Sequence, residues 1–568
     1  MSTGWRDRPS AHLTRHFVDA LFDLGFLSRE GADAFIRVLL GVIAVIFSFG
    51  LLLTRMYMGK YAGIKSAVDA SPYLQALAAD TTLAFGLPMW IAAFITVLIS
   101  HSLVPDETDF RVLMPLPVTR AFIFGTKLLA LAIFCGIFIG ASLVAVTPLV
   151  ALISSSRHAP YLLPVSLAAY WIVGTMSCVC SVLVIVAING VLTTALPRSR
   201  VHGVTASMRS VLLVGLMLAV PFVFALPADA DRIAAQSRVM YLLPPAWFLG
   251  VERLMFGGAD VYTARLGHIG LATLAAAAAC SAVAYLVLYR RFDRAMLRSL
   301  RVTRRRPRVA FAFSANPWSR AIADFTHATL RRSALHQGVL LGVTACGIAL
   351  ALNRLVDPQV IAWLRRLATA RFDVVFAIMG APWLLMFAAG LGTRAALALP
   401  IEQRASWIFR MTESEATRGQ QLRAVVRLMR QATVGLPLVL MAPLEFGLFG
   451  PRAIFALAAN AACALLWVEV LLRGWRRIPF TCSYMPGKQS AAQTTVVGIG
   501  LLVLGVTLCG AIAVGSARSP LFGIIAIALI GAVTWAFVRA RLALWSYAPL
   551  EFDDTLPSAI DSLRLLSG

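Results

Sequence analysis

Charged side chains are scarce in this chain, and acidic ones scarcest. Asp and Glu number 27 among 568 residues, and all charged types make up 14%, against about 25% in an ordinary soluble domain. That shortage excludes a normally solvated surface. Cysteine is also thin: there are eight, none in a CxxC pair, and Cys135, Cys178, Cys180, Cys280, Cys346, Cys463 and Cys509 fall inside apolar stretches as small fillers. Disulfides and a structural metal are therefore not expected. HExxH, a paired His–Cys ligand set and Gly-x-Ser-x-Gly are missing. The eight His are scattered, and one at a membrane boundary, such as His101 or His268, reads as a polar anchor. A phosphate-cradling loop is missing too. Met485-Pro486-Gly487-Lys488-Gln489-Ser490 has Cys482 where the first Gly should stand, and it follows a helix end instead of a strand. No catalytic residue, metal or cofactor of its own is expected, and the chain does not read as an enzyme.

What is present is apolar length. Hydrophobic residues make up 59% of the chain, in runs of about 17–25 residues that suit membrane-spanning helices. Backbone groups in lipid must pair internally, so the expected fold is all-α, a polytopic transmembrane helical bundle. About twelve spans are predicted, at 35–55, 79–100, 121–151, 161–187, 208–228, 268–289, 335–353, 372–394, 431–449, 453–472, 494–516 and 520–540. The polar, mixed-charge N-terminal stretch does not read as a cleavable signal.

The formal net charge of +24 comes from 51 Lys and Arg. In a soluble chain it would point to nucleic acid; here the basic residues sit in short loops between spans, and no nucleic acid is expected. With the N-terminus inside, cytoplasmic segments hold about 35 Lys and Arg and external ones about 13, which places both termini in the cytoplasm. The largest basic cluster, from Arg290 to Arg332, reads as a flank contacting lipid headgroups. The predicted organisation is a cytoplasmic N-terminal segment (1–34), a first six-helix half (35–289), an Arg-rich linker (290–334), a second half (335–545) and a cytoplasmic tail (546–568).

Within residues 15–34, Phe17, Leu21 and Leu24 recur at helical spacing beside Arg15, Asp19 and Asp23. That pattern fits a helix lying along the membrane interface, or a short cytosolic helix with no mechanical task. Carboxylates are almost missing from the spans, with Glu445 and Glu469 the clearest exceptions. A buried acid is costly and marks a candidate site, unless it faces a loop or pairs with Arg452 or Arg473.

Two loops resemble each other. Val104-Pro105-Asp106-Glu107 leads through Phe110-Arg111-Val112-Leu113-Met114 to Thr119-Arg120, and Leu399-Pro400-Ile401-Glu402 leads through Trp407-Ile408-Phe409-Arg410-Met411 to Thr417-Arg418. With the Arg-rich linker between the halves, this divides the bundle into two six-helix pseudo-repeats. In the first loop, Pro115 and Pro117 favour a fixed corner. Val112, Leu113 and Met114 suit a partner groove, and Glu107, Asp109, Arg111 and Arg120 can orient that contact by charge. The same loop could instead pack only against neighbouring helix ends.

The segment from Glu107 through Pro117, Thr119 and Arg120, followed by Gly125 and Lys127, resembles the membrane subunit of type-2 ABC exporters, in which an acidic residue precedes an apolar stretch ending in Pro-aliphatic-Ser/Thr-x-Arg. Tyr241-Leu242-Leu243-Pro244-Pro245-Ala246-Trp247-Phe248 is similar to that family's external segment before its last span. The resemblance implies a permease in the plasma (inner) membrane for an unknown exported substrate. It would be energised by two separate cytoplasmic ABC ATPase subunits, with ATP and Mg held on those partners. Glu107, Asp109, Arg111, Leu113, Pro117, Thr119 and Arg120, with Glu402, Arg410 and Arg418 in the second loop, would then couple to the ATPase. Residues 15–34 would match the family's connecting helix, and Pro244, Pro245 and Trp247 an external gate. The chain departs from the family in carrying two halves where the familiar subunit has six spans, and in ending its second loop Ser414-Glu415-Ala416-Thr417-Arg418. An ion-coupled secondary transporter, or a non-transport membrane enzyme or scaffold, are the alternatives.

Overall fold

The computed structural model describes residues 9–22, 57–61, 64, 69–100, 119–155, 161–196, 198–226, 233, 235–299, 316–355, 372–399, 406–481, 505 and 507–552. The fold is an all-α, multi-pass helical bundle, without a strand among the described residues. It forms two compact units, residues 1–305 and 306–568.

The first unit contains α1 (Pro9–Phe22), α2 (Ser71–Leu98), α3 (Arg120–Ser154), α4 (Leu163–Ala195), α5 (Arg198–Ala225), a 3-10 turn (Arg238–Leu242), α6 (Pro244–Phe256) and α7 (Val261–Ser299). Their starts follow local chemistry. Thr119 accepts a hydrogen bond from the Phe122 amide and caps α3, while prolines stand in the opening turns of α2, α4 and α6, where no amide partner is needed. α2 packs on α3 and α4, α4 on α7, and α6 lies along α7. Two helices of the first unit approach without intervening side chains. A Cβ on Gly250 would fall 2.3 Å from the Gly267 amide nitrogen and 2.4 Å from the Thr263 carbonyl oxygen. Gly257 and Gly258, at φ 105° and 85°, turn the chain between them. Asp260 then accepts from the Thr263 amide (2.9 Å) and starts α7.

The second unit contains α8 (Pro317–Arg332), α9 (Ala334–Leu355), α10 (Phe372–Ala398), α11 (Ser406–Thr412), α12 (Glu415–Arg430), a π-helical turn (Gln431–Gly435), α13 (Leu436–Phe449), α14 (Ala453–Leu471) and α15 (Pro520–Tyr547). Between α8 and α9 the chain bends by 83°. His336, buried at the bend, meets the Ser333 hydroxyl (2.6 Å) through Nδ1 and the Leu399 carbonyl (3.1 Å) through Nε2. α9 presses on α10 through small residues: a Cβ on Gly347 would lie 2.3 Å from that of Ala388. α10 packs on α13 and α14, and α14 on α15.

Among the described residues, seven helices are long and apolar enough to cross a membrane, or eight with the bent α8–α9 pair. The predicted count of twelve is thus not reached. The predicted spans 79–100, 121–151, 161–187, 268–289, 372–394 and 520–540 each fall on one of the seven. Span 335–353 falls on the bent pair, and 431–449 and 453–472 share the single stretch Thr417–Leu471. That stretch has 55 residues, which a straight helix would draw out to about 80 Å, against a hydrocarbon core of about 30 Å. Gly450, at φ 60°, breaks it between α13 and α14. Among the described residues, α5 contributes a shorter apolar stretch, Ser207–Val220. Span 35–55 and residues 494–504 lie outside the described residues. So do residues 300–315, the middle of the Arg-rich segment, whose two ends are helical in α7 and α8.

The α6–α7 contact yields a test. Gly250→Val should force these helices apart and cost about 1–3 kcal/mol, lowering the melting temperature in detergent. Gly215→Val, where a Cβ meets nothing within 4 Å, should leave melting nearly unchanged.

Candidate functional site

The two loops singled out in the sequence meet different fates. Glu107, Asp109, Arg111, Leu113, Pro117 and Glu402 lie outside the described residues. Thr119 and Arg120 open α3 as its cap and first residue. The second Thr-Arg pair is placed otherwise. Ser414 caps α12 in a capping box with Thr417, so Thr417 and Arg418 stand inside the helix. The apparent correspondence of the two pairs therefore does not carry into the helices, because Ser414 offers an earlier cap.

Arg418 is 7% exposed and turned inward. Its Nε donates to Glu413 (3.1 Å) and its Nη1 to the Trp545 carbonyl (3.3 Å), while Glu413 also accepts from the Leu550 amide (2.7 Å). It therefore joins the start of α12 to the end of α15. Arg410, exposed on α11, lies 5.4 Å from the Phe552 ring centroid. Beside this junction Glu551 accepts from Arg477 (2.7 Å) and Arg476. Partial burial works against its charge, but the bonds and charges of Arg477 and Arg476 win and hold Glu551 below the ordinary carboxylate range.

Phe17 on α1 is buried against Ile99 of the α2 end and Ile123 and Ala130 of α3, with Lys127 Nζ 5.1 Å from its ring centroid. α1 is thus seated on the helix that leaves the first loop. Leu21 ends α1 and nothing is described of its side chain; Leu24 lies outside the described residues. The second unit has the same arrangement, which sequence reasoning missed: α8, also opening on a proline, packs on α12. Ile322, buried, and Phe325, at helical spacing, supply its apolar face. That signal was present inside the Arg-rich segment.

Pro244, Pro245 and Trp247 stand in the first turn of α6. Trp247 Nε1 donates to the Tyr241 carbonyl (2.9 Å), and the Pro245 ring packs near Gly86 of α2. Tyr161, at the start of α4, donates to the Gly257 carbonyl (2.6 Å) and holds the α6–α7 turn.

The buried acids are handled in three ways. Glu469, on α14, is fully buried between two guanidiniums: Arg541 Nε donates to it (2.7 Å), as do Arg541 Nη2 (3.2 Å) and Arg430 Nη2 (2.8 Å). Its partners are thus arginines other than Arg473, the alternative the sequence left open, which lies beyond the end of α14. Asp80, in the third turn of α2, is a buried carboxylate that sequence reasoning missed. It accepts two bonds from Lys60 (2.8 and 2.9 Å) and one from Tyr61 (2.7 Å). The signal was its place inside the predicted span 79–100. Glu445, on α13, is fully buried and neither oxygen has a hydrogen-bond partner among the described residues, Arg452 included.

A cleft of about 890 Å³ opens between α3, α4 and α7. Leu128, Ile139, Trp171, Val182 and Leu286 give it apolar walls, and Tyr285 and Ser281 tie α7 to the Phe124 and Leu183 carbonyls beside it. Among the described residues there is no group of three or more His, Cys, Asp and Glu placed to hold a metal ion. Compared with protein-family models, curated proteins and solved structures, the chain matches none.

Two outcomes test these charges. Arg541→Leu, which strips a buried carboxylate of its two-pronged partner, should cost about 3 kcal/mol or more; Arg430→Leu, removing a partly exposed arm, should cost less. Thermal melting of the purified variants orders them. For Glu551 the folded pKa is depressed, so its contribution is present above the ordinary carboxylate value and is lost as pH falls through the folded one. Glu551→Gln should remove that part of the acid destabilisation, by less than about 1 kcal/mol for a partly exposed pair, read as a flatter melting-temperature profile on the acid side.

Proposed function

We propose that this chain is the membrane-spanning permease subunit of an ATP-driven exporter of the type-2 ABC kind, in duplicated form. The observation that carries the reading is the placement of α1. It sits on the first turns of α3 directly after the loop 106–120, and α3 in turn packs on α2, so a push on that loop reaches three helices. The loop's Pro-Leu-Pro-Val-Thr-Arg ending, at residues 115–120, supplies a stiff corner at which to push.

Duplication is supported by repeated packing. The pairs α1–α3, α2–α4 and α4–α7 in the first unit recur as α8–α12, α10–α14 and α14–α15 in the second. The mechanism follows from this arrangement. Two ATPase subunits, carrying ATP and Mg, close beneath residues 106–120 and the segment containing Glu402 and Arg410, and the bundles tilt. Arg418 serves there as an internal brace. The Lys and Arg asymmetry supports cytoplasmic termini, and the exporter reading puts the chain in the inner membrane. The apolar cleft between α3, α4 and α7 suits an apolar or amphipathic substrate.

The test is co-purification from native membranes. An ATPase with a Walker motif should accompany the wild-type chain, and Leu113→Asp or Pro117→Gly should reduce its recovery by about tenfold, equivalent to about 1.4 kcal/mol of lost contact, without a change in melting temperature. Transport by the isolated chain in ATP-free vesicles under an ion gradient would overturn the proposal.

A further inference from the structure

Glu445 takes no part in the coupling scheme, and its surroundings give it another role. Met441 precedes it by one helical turn and Phe449 follows by one, so all three share a face of α13. Met441 packs with Ala381, Leu384 and Leu385 of α10, and Phe449 against Met379 of α10 and Ala456 of α14. Glu445 is therefore turned to the interior between those helices. Asn460, one turn beyond Ala456, donates to the Met379 carbonyl (2.9 Å) and keeps a buried side-chain oxygen with no partner among the described residues.

An unpaired carboxylate anion in such a place would cost several kcal/mol. Asp80 and Glu469 meet that cost with cations; among the described residues neither oxygen of Glu445 has a hydrogen-bond partner. α13 is also built to shift. A π-helical turn precedes it, Pro437 and Pro443 interrupt its hydrogen-bond ladder, and the buried Thr433 hydroxyl in the π turn has no partner among the described residues.

We infer that Glu445 is an exchangeable proton-binding site in the interior of the second unit. The carboxyl is neutral while α13 is closed on α10 and α14. When α13 moves and water enters, the O–H bond breaks and the proton passes to water, leaving the carboxylate; reclosure requires a proton to return. The site does not depend on which partner energises the chain, so its failure and that of the exporter reading are separate.

The experiment uses the full chain in lipid. Infrared spectra should show a protonated-carboxyl band at about pH 6 that falls by about half or more by about pH 9, and Glu445→Gln should remove it. A hydrophobic carbodiimide, which adds to protonated buried carboxyls, should mark Glu445 by mass spectrometry and leave Glu469, engaged by two arginines, unmarked. A band that does not change with pH, a band that persists in Glu445→Gln, or a folded wild-type chain unmarked at Glu445 would each overturn the inference. Should Glu445→Gln not fold, the wild-type labelling and pH response decide alone.

Discussion

A charge placed among packed apolar helices must find an opposite charge or lose itself to a proton, and the polar architecture of both units follows from that constraint. In the first, Asp80 is fully buried yet reached by Lys60 and Tyr61, which fixes residues 57–61 against α2. In the second, Glu469 draws Arg430 and Arg541 to one point, so three segments distant in sequence are joined by one carboxylate. Each arrangement leaves few alternatives, because sliding a helix by one turn, about 5.4 Å, would strand an ion. Such pairs add little net stability over apolar packing, but they select one packing among the many that similar apolar faces would allow.

The remaining contacts divide by steric need. Where helices must run close, small residues are found: Gly250 against Gly267 and Gly347 against Ala388. These are contacts of shape, formed without a hydrophobic drive between helices in lipid. Between α3, α4 and α7 the opposite holds, and larger side chains stand apart around an open cleft. One unit thus combines a tight, glycine-made seam at α6–α7 with a loose apolar opening several turns farther along α7. Rigid seams and loose clefts in one bundle allow helices to move as groups, as the proposed coupling at the start of α3 would require.

Much of the bundle was legible in the sequence, because apolar length is a local property. The helices around 121–151, 161–187 and 520–540 follow from their runs alone. What was hidden was long-range or masked by composition. For Glu469 the sequence offered the nearby Arg473 as one possible partner, but its partners lie 39 and 72 positions away, a separation that no spacing rule reaches. Asp80 drew no reading at all, and its partner Lys60 lies 20 positions before it, on a separate segment. In α8, Ile322 and Phe325 make an ordinary amphipathic stripe, but the arginines around it drew the eye to charge. The resemblance between the two loops misled in detail. The repeated Thr-Arg letters suggested equivalent helix starts, while capping chemistry gave the start to Ser414.

On the proposed duplicated reading, these differences and the shared packing have one origin: each half can specialise while the common frame of α1–α3 and α8–α12 is kept. In sequence, the first half's loop carries Pro115 and Pro117 before the threonine cap of α3. The second ends its loop on a capping box, and Arg418 turns inward to brace α15 instead of facing a partner. On that reading force enters most strongly at the first half. The second unit has a π turn and two prolines along α13 and, at Glu445, an acid with no hydrogen-bond partner among the described residues, and the inferred protonation change there would bias when that span moves. Asymmetry between the halves is thus the expected result of one chain dividing two tasks that two identical chains would have to share.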